Sequence, residues 1–474
     1  MTEPRKPAAP AAGRWFAAVR GFAGSRQALF GAAGWITLTY VAQQFLRLFT
    51  NIILAWLLAP ALLGTMLLIN TLRTAGELLT DVGVGQSIVN NRRGNEPAFY
   101  NTAWTIQIVR GLILYVIAMA LTVPIARGYD NPELLVLLPA VAPVFILTGL
   151  TSPSRFLLQK QLEIRKLALF DLASAVFGAL VQIALAYYMP TIWALIWGLL
   201  IGTAVPAVAS FFLIDWRSHH LRWEGEAVRA ILHFGKWIFF SSLIYFLAMN
   251  FDRLYFASAV SLTLLGIYGI ARTFADTVVQ FFQRIGNLLI FPKVSATAQR
   301  GQDLQRAIRP VRLATLLLAA VSLAFAVAIA DIFVYFVYDP RYHAAGLILA
   351  ILLFGSWFGI LAAIADAMMM GIGKPSVVAF SNAGKLAVIV VALTWVLPRY
   401  GMNAALLAFV FADAVRYAML AWQKRSVGLS FLRQDAALTI LFVLLIIFFR
   451  EATMLAGWTT GVGGWLEQAR QPYE

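Results

Sequence analysis

Apolar residues in this chain come in long blocks, and blocks of about 20 recur about a dozen times along the sequence. A bilayer core about 30 Å thick is crossed by roughly 20 residues of α-helix, because each residue rises about 1.5 Å and every backbone polar group is satisfied within the helix. A single soluble core cannot absorb so many blocks of that length. Composition agrees: 61% of residues are hydrophobic and 12% are charged, against about 25% charged in soluble domains. The ten-residue alternation of a membrane β-barrel is absent. The expected fold class is an all-α polytopic membrane protein.

Spans are placed at 31–58, 62–90, 98–126, 134–158, 166–188, 191–214, 232–258, 262–290, 311–337, 345–370, 376–398 and 402–423. A short, intense stretch at 436–449 and a Gly/Thr-rich one at 451–466 follow as one or two further C-terminal helices. Residues 14–30 mix Arg14, Arg20 and Arg26 with Trp15, Phe16 and Phe22, the pattern of an interfacial helix. The net charge of +15 is explained by topology. With the N-terminus cytoplasmic, the basic loops around Arg92, Lys160, Arg217, Lys293, Arg306, Lys374 and Arg425 share one side, and Arg127, Arg341 and Arg399 lie opposite. Nucleic-acid binding is not needed to account for it. The chain has no cysteine, which removes disulfides, thiol nucleophiles and Cys-ligated metals.

A weak internal repeat divides the chain. Ala61-Leu62-Leu63-Gly64 after span 1 is echoed by Thr263-Leu264-Leu265-Gly266 after span 7, and Arg73/Glu77 by Arg272/Asp276. Copies six spans apart enter the membrane in the same direction, so two six-helix bundles related by a pseudo-two-fold axis along the membrane normal are expected, with a site between them. The divisions are a 1–30 tail and interfacial helix, bundles at 31–214 and 232–425, a 215–231 linker, and a 426–474 C-terminal extension.

Charges at bilayer depth cost about 2.5–3.5 kcal/mol each on the lenient insertion scale, so they must face protein or water. Arg47 lies mid-span with Tyr40, Gln43, Gln44, Thr50 and Asn51 around it at helical spacing, one polar stripe. Arg73, Glu77 and Asp81 are on span 2, Asn250, Asp252 and Arg253 on span 7, Tyr268, Arg272 and Asp276 on span 8, and Asp366 on span 10. Arginine holds its charge when desolvated and grips phosphate oxygens in a fork. Arg47, Asn51, Arg73, Asn250, Arg253, Tyr268 and Arg272 are therefore the candidate substrate-binding set. Glu77, Asp81, Asp252, Asp276 and Asp366 are candidates for gating or for coupling to H+ or Na+. The i,i+4 pairs serve equally well as helix–helix glue, so both readings stand at this stage.

Enzyme signatures are missing. The four histidines show no HExxH pattern, no DxD is present, and Gly371-Ile372-Gly373-Lys374 is a loop turn followed by Pro375 rather than a phosphate loop. No metal or cofactor is called for.

Three stretches resemble the polysaccharide transporter (lipid-linked oligosaccharide flippase) family of the multidrug/oligosaccharidyl-lipid/polysaccharide superfamily. They are Leu57-Leu58-Ala59-Pro60-Ala61-Leu62-Leu63-Gly64 continuing to Asp81-Val82-Gly83-Val84-Gly85; Asn250-Phe251-Asp252-Arg253 running to Phe291-Pro292; and Gly371-Ile372-Gly373-Lys374-Pro375 followed by Tyr400-Gly401-Met402-Asn403. The resemblance implies a cationic cavity between spans 1, 2, 7 and 8 in a bacterial inner-membrane protein. It implies an undecaprenyl-pyrophosphate-linked oligosaccharide moved from the cytoplasmic to the periplasmic leaflet by alternating access, with membrane lipid and polysaccharide polymerase or other envelope proteins as partners. A cation-coupled multidrug exporter of the same superfamily and a membrane glycan polymerase or ligase are the rival readings. The cationic residues count against the first, and the lack of a sizeable outer loop against the second.

Overall fold

The computed structural model describes residues 34–35, 37–80, 83–300, 303–425 and 427–458. The interfacial helix expected at 14–30, Asp81, and the stretch from 459 onward lie outside them. The described residues are helical throughout, in the order α1 (37–57), α2 (Pro60–Leu79), α3 (Val84–Asn90), α4 (Pro97–Gly128), α5 (Leu134–Val141), α6 (Pro143–Leu150), α7 (Ser154–Lys160), α8 (Ile164–Tyr188) and α9 (Ile192–Ala209). There follow α10 (Gly225–Ala259), α11 (Leu262–Ile285), α12 (Phe291–Gln299), α13 (Leu304–Ala328), α14 (Ala330–Val337), α15 (Ala345–Gly371), α16 (Pro375–Arg425) and α17 (Leu432–Leu455).

By length and apolar content 8 of the described helices can cross a membrane, or 9 if the bent pair at 134–160 counts as one span. The helices α1, α2 and α10 are also of spanning length and carry many of the polar residues singled out above. Within the described residues each of the twelve intervals read from the sequence is mostly helix, and 436–449 grows into the 24-residue α17. The boundaries shift where breakers act. The 62–90 interval breaks after Thr80 and restarts at Gly83, whose φ of +64° is left-handed. The 134–158 interval breaks before Pro143 and again at Thr151–Pro153, with a 44° bend. The 51 residues of α16 would reach about 75 Å as one rod, more than twice a bilayer; Gly401 (φ 74°, ψ −173°) folds them into two legs. A π-helical turn, Gly286–Ile290, precedes Pro292, where the missing N–H and ring bulk disturb the ladder.

Scattered threonines in the spans satisfy themselves. Thr65, Thr71, Thr74 and Thr102 each donate to the carbonyl four residues back, so they carry no functional signal.

The 215–231 linker is shorter than expected because α10 already begins at Gly225. The segment before it is strapped to α4. Asn101 donates to Ser218 O at 2.9 Å and accepts from His220 N, while Thr102 and Thr105 accept from the N–H groups of Glu224 and Arg222. Arg93 pairs with Glu224 at 2.6 Å and with Glu96 at 2.8 Å. Ala227 and Ile231 of α10 bury against Val84, Ile88, Phe99 and Leu157.

At the centre of the second half, α15 packs against α11, α13 and α16. Its fully buried Trp357 stacks on Phe442 of α17, 4.9 Å between ring centres, and donates to Thr439 at 2.9 Å. Arg450 of α17 pairs with Asp331 at 2.7 Å. Arg312 of α13, with no exposed surface, pairs with Asp435 of α17; the Tyr417 hydroxyl donates to the same carboxylate, and Lys424 Nζ lies 4.0 Å from it. One carboxylate thus answers two buried cations. Asp435→Ala is expected to cost about 3–5 kcal/mol, the penalty of stranding buried charge, read as a clear drop in the thermal unfolding midpoint of the detergent-purified protein. An unchanged midpoint would show that the cluster is hydrated.

Candidate translocation cavity

The polar stripe of α1 faces a hollow. Gln43, Arg47, Thr50 and Asn51 sit at i, i+4, i+7 and i+8, one face of a 3.6-residue helix, and all four line a cavity of ≈ 520 Å³. Asn70 of α2, Ser174 and Gln182 of α8, Thr203 of α9 and Thr273 of α11 complete its polar lining. A second hollow of ≈ 530 Å³ shares Gln43, Arg47, Ser174 and Thr203 with the first. It adds Thr148, Thr151, Arg155 and Asp171, the last two paired at 2.6 Å. The sequence reading missed Ser174, Gln182 and Thr203. They are lone polar residues in apolar helices, and what brings them to the cavity is the close approach of α8 and α9 at Gly178 and Gly202.

One seam joins α1 to α11 beside this hollow. The Arg284 guanidinium stacks over the Tyr40 ring at 4.1 Å, Gln44 Nε2 donates to Gln280 Oε1 at 3.4 Å, and Arg47 Nη2 donates to Thr277 Oγ1 at 2.6 Å. As the α1 number rises by 4 and then 3, the α11 number falls by the same steps, so the two helices run antiparallel in register. On the far side of the seam lies a groove of ≈ 420 Å³. Its wall is mostly hydrocarbon, with Phe45, Leu48, Val278, Phe281, Leu318 and Leu323, and Gln44 borders both it and the inner hollow.

The remaining predicted site residues are placed differently. Arg73, Asn250, Arg253, Tyr268 and Arg272 do not line the cavity. Arg73 pairs with Glu77 at 2.7 Å. Between α10 and α11, Arg253 pairs with Asp276 at 2.6 Å and donates from Nη1 to Asn250 Oδ1 at 2.7 Å; Arg272 pairs with Asp276 at 3.1 Å and lies 3.6 Å from Asp252. The Tyr268 hydroxyl donates to Asp252. Two arginines and two aspartates make a balanced cluster, which is how buried ions are tolerated at low dielectric. Asp366 pairs with Arg416 and Lys385 with Asp413, both at 2.5 Å. Arg47 and Asn51 are thus the two members of the predicted substrate-binding set on the cavity wall, and Arg47 adjoins the α10–α11 cluster through Thr277.

At the other end of the bundle the two halves meet backbone to backbone. A Cβ on Gly64 would fall 1.9 Å from Leu262 O, and one on Gly266 would fall 2.0 Å from Pro60 O; each would also sit 2.9 Å from the other glycine's nitrogen. This reciprocity is the pseudo-two-fold relation made visible, since the two glycines are the matching members of the sequence repeat. Nearby, Trp56 Nε1 donates to Val337 O at 2.8 Å and the Tyr342 hydroxyl to Leu58 O at 2.9 Å. These contacts hold the two halves together where Gly266 forms part of the cavity wall.

Two helical lobes around a polar hollow form a multi-pass, all-helical membrane fold. Among solved structures the fold matches the lipid II flippase MurJ in an inward closed conformation, with TM-score 0.73, 13% identity, and 91% of this chain and 95% of that one covered. It also matches an inward-facing multidrug resistance MATE transporter of the MOP superfamily, with TM-score 0.64, 14% identity and 84% and 95% covered. The sequence profile described as polysaccharide biosynthesis protein matches residues 53–347, and the chain belongs to that family. Similar curated proteins are the lipopolysaccharide biosynthesis protein WzxC of Escherichia coli (strain K12), 22% identical over 268 residues, 56% of this chain and 54% of that one, and the teichuronic acid biosynthesis protein TuaB of Bacillus subtilis (strain 168), 22% identical over 285 residues, 58% and 57%. The chain spans about half the length of these curated relatives in the matched regions.

Proposed function

We propose that this protein is a flippase for a polyprenyl-pyrophosphate-linked oligosaccharide, of the undecaprenyl kind, in a bacterial inner membrane with the N-terminus cytoplasmic. The observation that carries the reading is the α1–α11 seam, which separates a polar cavity bearing Arg47 from an apolar groove. A lipid-linked sugar has the same two-sided chemistry. Its hydrocarbon tail suits Phe45, Leu48 and Phe281 outside, its phosphates suit Arg47, and its hydroxyls suit Asn51, Asn70, Gln182 and Thr203 inside. The seam contacts are a stacking pair and neutral or singly charged hydrogen bonds, each about 0.5–3 kcal/mol, so parting them is within reach of substrate binding.

With the two halves in contact at Gly64 and Gly266, this is the state that receives substrate from the cytoplasmic leaflet. An anionic head moving outward from a negative interior travels down the membrane potential and gains about 2.3 kcal/mol per charge per 100 mV. The reading therefore needs no separate ion route. The carboxylates Glu77, Asp252, Asp276 and Asp366 are all engaged with arginine, and a proton or sodium path through them must first break an ion pair.

The test is leaflet transfer of a fluorescent polyprenyl-pyrophosphate oligosaccharide in proteoliposomes. Transfer faster than in empty vesicles, and faster still under an imposed potential negative on the donor side, is expected. Transfer no faster than in empty vesicles would refute the reading.

A further inference from the structure

Away from the cavity, four arginines converge where three spanning helices end. Arg306 and Arg309 come from the first turns of α13, Arg425 from the last residue of α16 and Arg433 from the first turn of α17, and together they surround a pocket of ≈ 620 Å³. Among the described residues none of the four guanidinium groups has a carboxylate within ion-pair distance. The one acid on the pocket wall, Asp303, is occupied as the helix cap of α13, its Oδ1 accepting from Gln305 N at 3.0 Å and Arg306 N at 3.2 Å. Asp435, one residue group deeper, is already consumed by Arg312, Lys424 and Tyr417. The pocket therefore holds an excess of positive charge that no described carboxylate neutralises.

Its shape is set by buried structure. Gln305 Nε2 donates to Ser430 O at 2.6 Å, Gln434 Oε1 accepts from Arg312 at 3.0 Å, and Phe431 beneath lies under the Arg312 guanidinium at 4.7 Å. Guanidinium forks facing one another across a hollow suit the oxygens of a phosphate. The position argues for the source. The pocket sits at the ends of membrane-crossing helices, walled on one side by Phe431 and Leu432, and the exposed Trp422 lies about one turn before Arg425 in the manner of an interfacial anchor. Basic pockets between helices on this face of a membrane protein suit anionic head groups.

We propose that this pocket binds the phosphate head group of an anionic membrane phospholipid and thereby ties α17 to α13 and α16. The site is distinct from the translocation cavity and does not depend on the flippase reading.

The test is native mass spectrometry of the full chain released from neutral detergent with phosphatidylglycerol, phosphatidylethanolamine or inorganic phosphate. Retention of phosphatidylglycerol over phosphatidylethanolamine is expected. Substituting Arg306, Arg309, Arg425 and Arg433 with Gln, singly and together, should weaken that retention about fivefold per arginine removed. Lysine at the same positions should retain more than glutamine. Arg92→Gln with Arg229→Gln, elsewhere on the basic face, should leave retention unchanged. Equal loss in that control, equal retention of the two lipids, or unaltered retention in the glutamine series would overturn the site. Displacement of phosphatidylglycerol by millimolar inorganic phosphate would overturn the lipid as its occupant. If the combined variant does not fold, the single substitutions at these exposed positions decide the matter on the same scale.

Discussion

Arg47→Ala should slow leaflet transfer of the pyrophosphate-linked substrate by about 10- to 100-fold, the loss of one or two charge-assisted hydrogen bonds to phosphate. The expectation rests on position. Arg47 is the guanidinium common to both hollows, and its partner in this state is a neutral hydroxyl, Thr277, rather than an acid. An arginine held by a hydroxyl can be exchanged to a phosphate without stranding a carboxylate. Arg47→Lys should fall between parent and alanine, because the charge remains and the fork is lost. Arg272→Ala should behave otherwise. It leaves Asp252 and Asp276 short of a partner inside the α10–α11 cluster, so its first effect should be a lower unfolding temperature. Equal transfer rates for Arg47→Ala and the parent would remove the phosphate contact from the mechanism, and a loss in Arg272→Ala without destabilisation would move the contact into the second lobe.

The second large effect is expected at the backbone crossing. Gly266→Ala places a methyl group 2.0 Å from Pro60 O, and Gly64→Ala places one 1.9 Å from Leu262 O. Neither neighbour is a flexible side-chain tip, so α2 and α11 must separate. Overpacking of this kind costs about 1–3 kcal/mol, enough to shift the population away from the state in which the two halves touch here about 5- to 100-fold. Because the chain has no cysteine, a single Asn70→Cys reporter on the cavity wall can be read without background. In sealed vesicles, a membrane-impermeant maleimide added on the side of the Gly64–Gly266 crossing should label that reporter faster in either alanine variant than in the parent. Unchanged labelling in both would mean that the crossing does not limit access from that side.

The helical architecture was legible because bilayer physics demands long apolar runs, and positive charge at one set of loops follows the same logic. The α1 stripe was legible in part: of the polar residues read on it, Gln43, Arg47, Thr50 and Asn51 share the cavity face, while Tyr40 and Gln44 meet Arg284 and Gln280 of α11. The fates of Arg73, Arg253 and Arg272 were only half legible. Local i,i+4 partners were visible in the sequence, and Arg73–Glu77 and Arg272–Asp276 both form. That Arg253 reaches Asp276 on the next helix depends on how α10 is rotated against α11, which no periodicity specifies. Asp435 shows the limit more sharply. It reads as a polar residue near a helix start, yet it joins three helices through Arg312, Lys424 and Tyr417. The repeat glycines were found as a repeat, and their meeting face to face required the fold.

The sorting of ions between the halves has a mechanical side. The second half is threaded with paired charges at Asp252, Arg272, Asp276, Asp366, Lys385, Asp413 and Asp435, each linking one helix to another across a buried gap, or one turn to the next. The first half has its helices interrupted at Gly83, Pro143 and Thr151–Pro153, and its cavity-facing ions are Arg47 and the half-exposed Arg155–Asp171 pair. A pair of lobes built from one repeated plan thus ends up cross-tied by deeply buried ions chiefly in one of them, so a load that moves the lobes apart meets more ionic cross-links on that side.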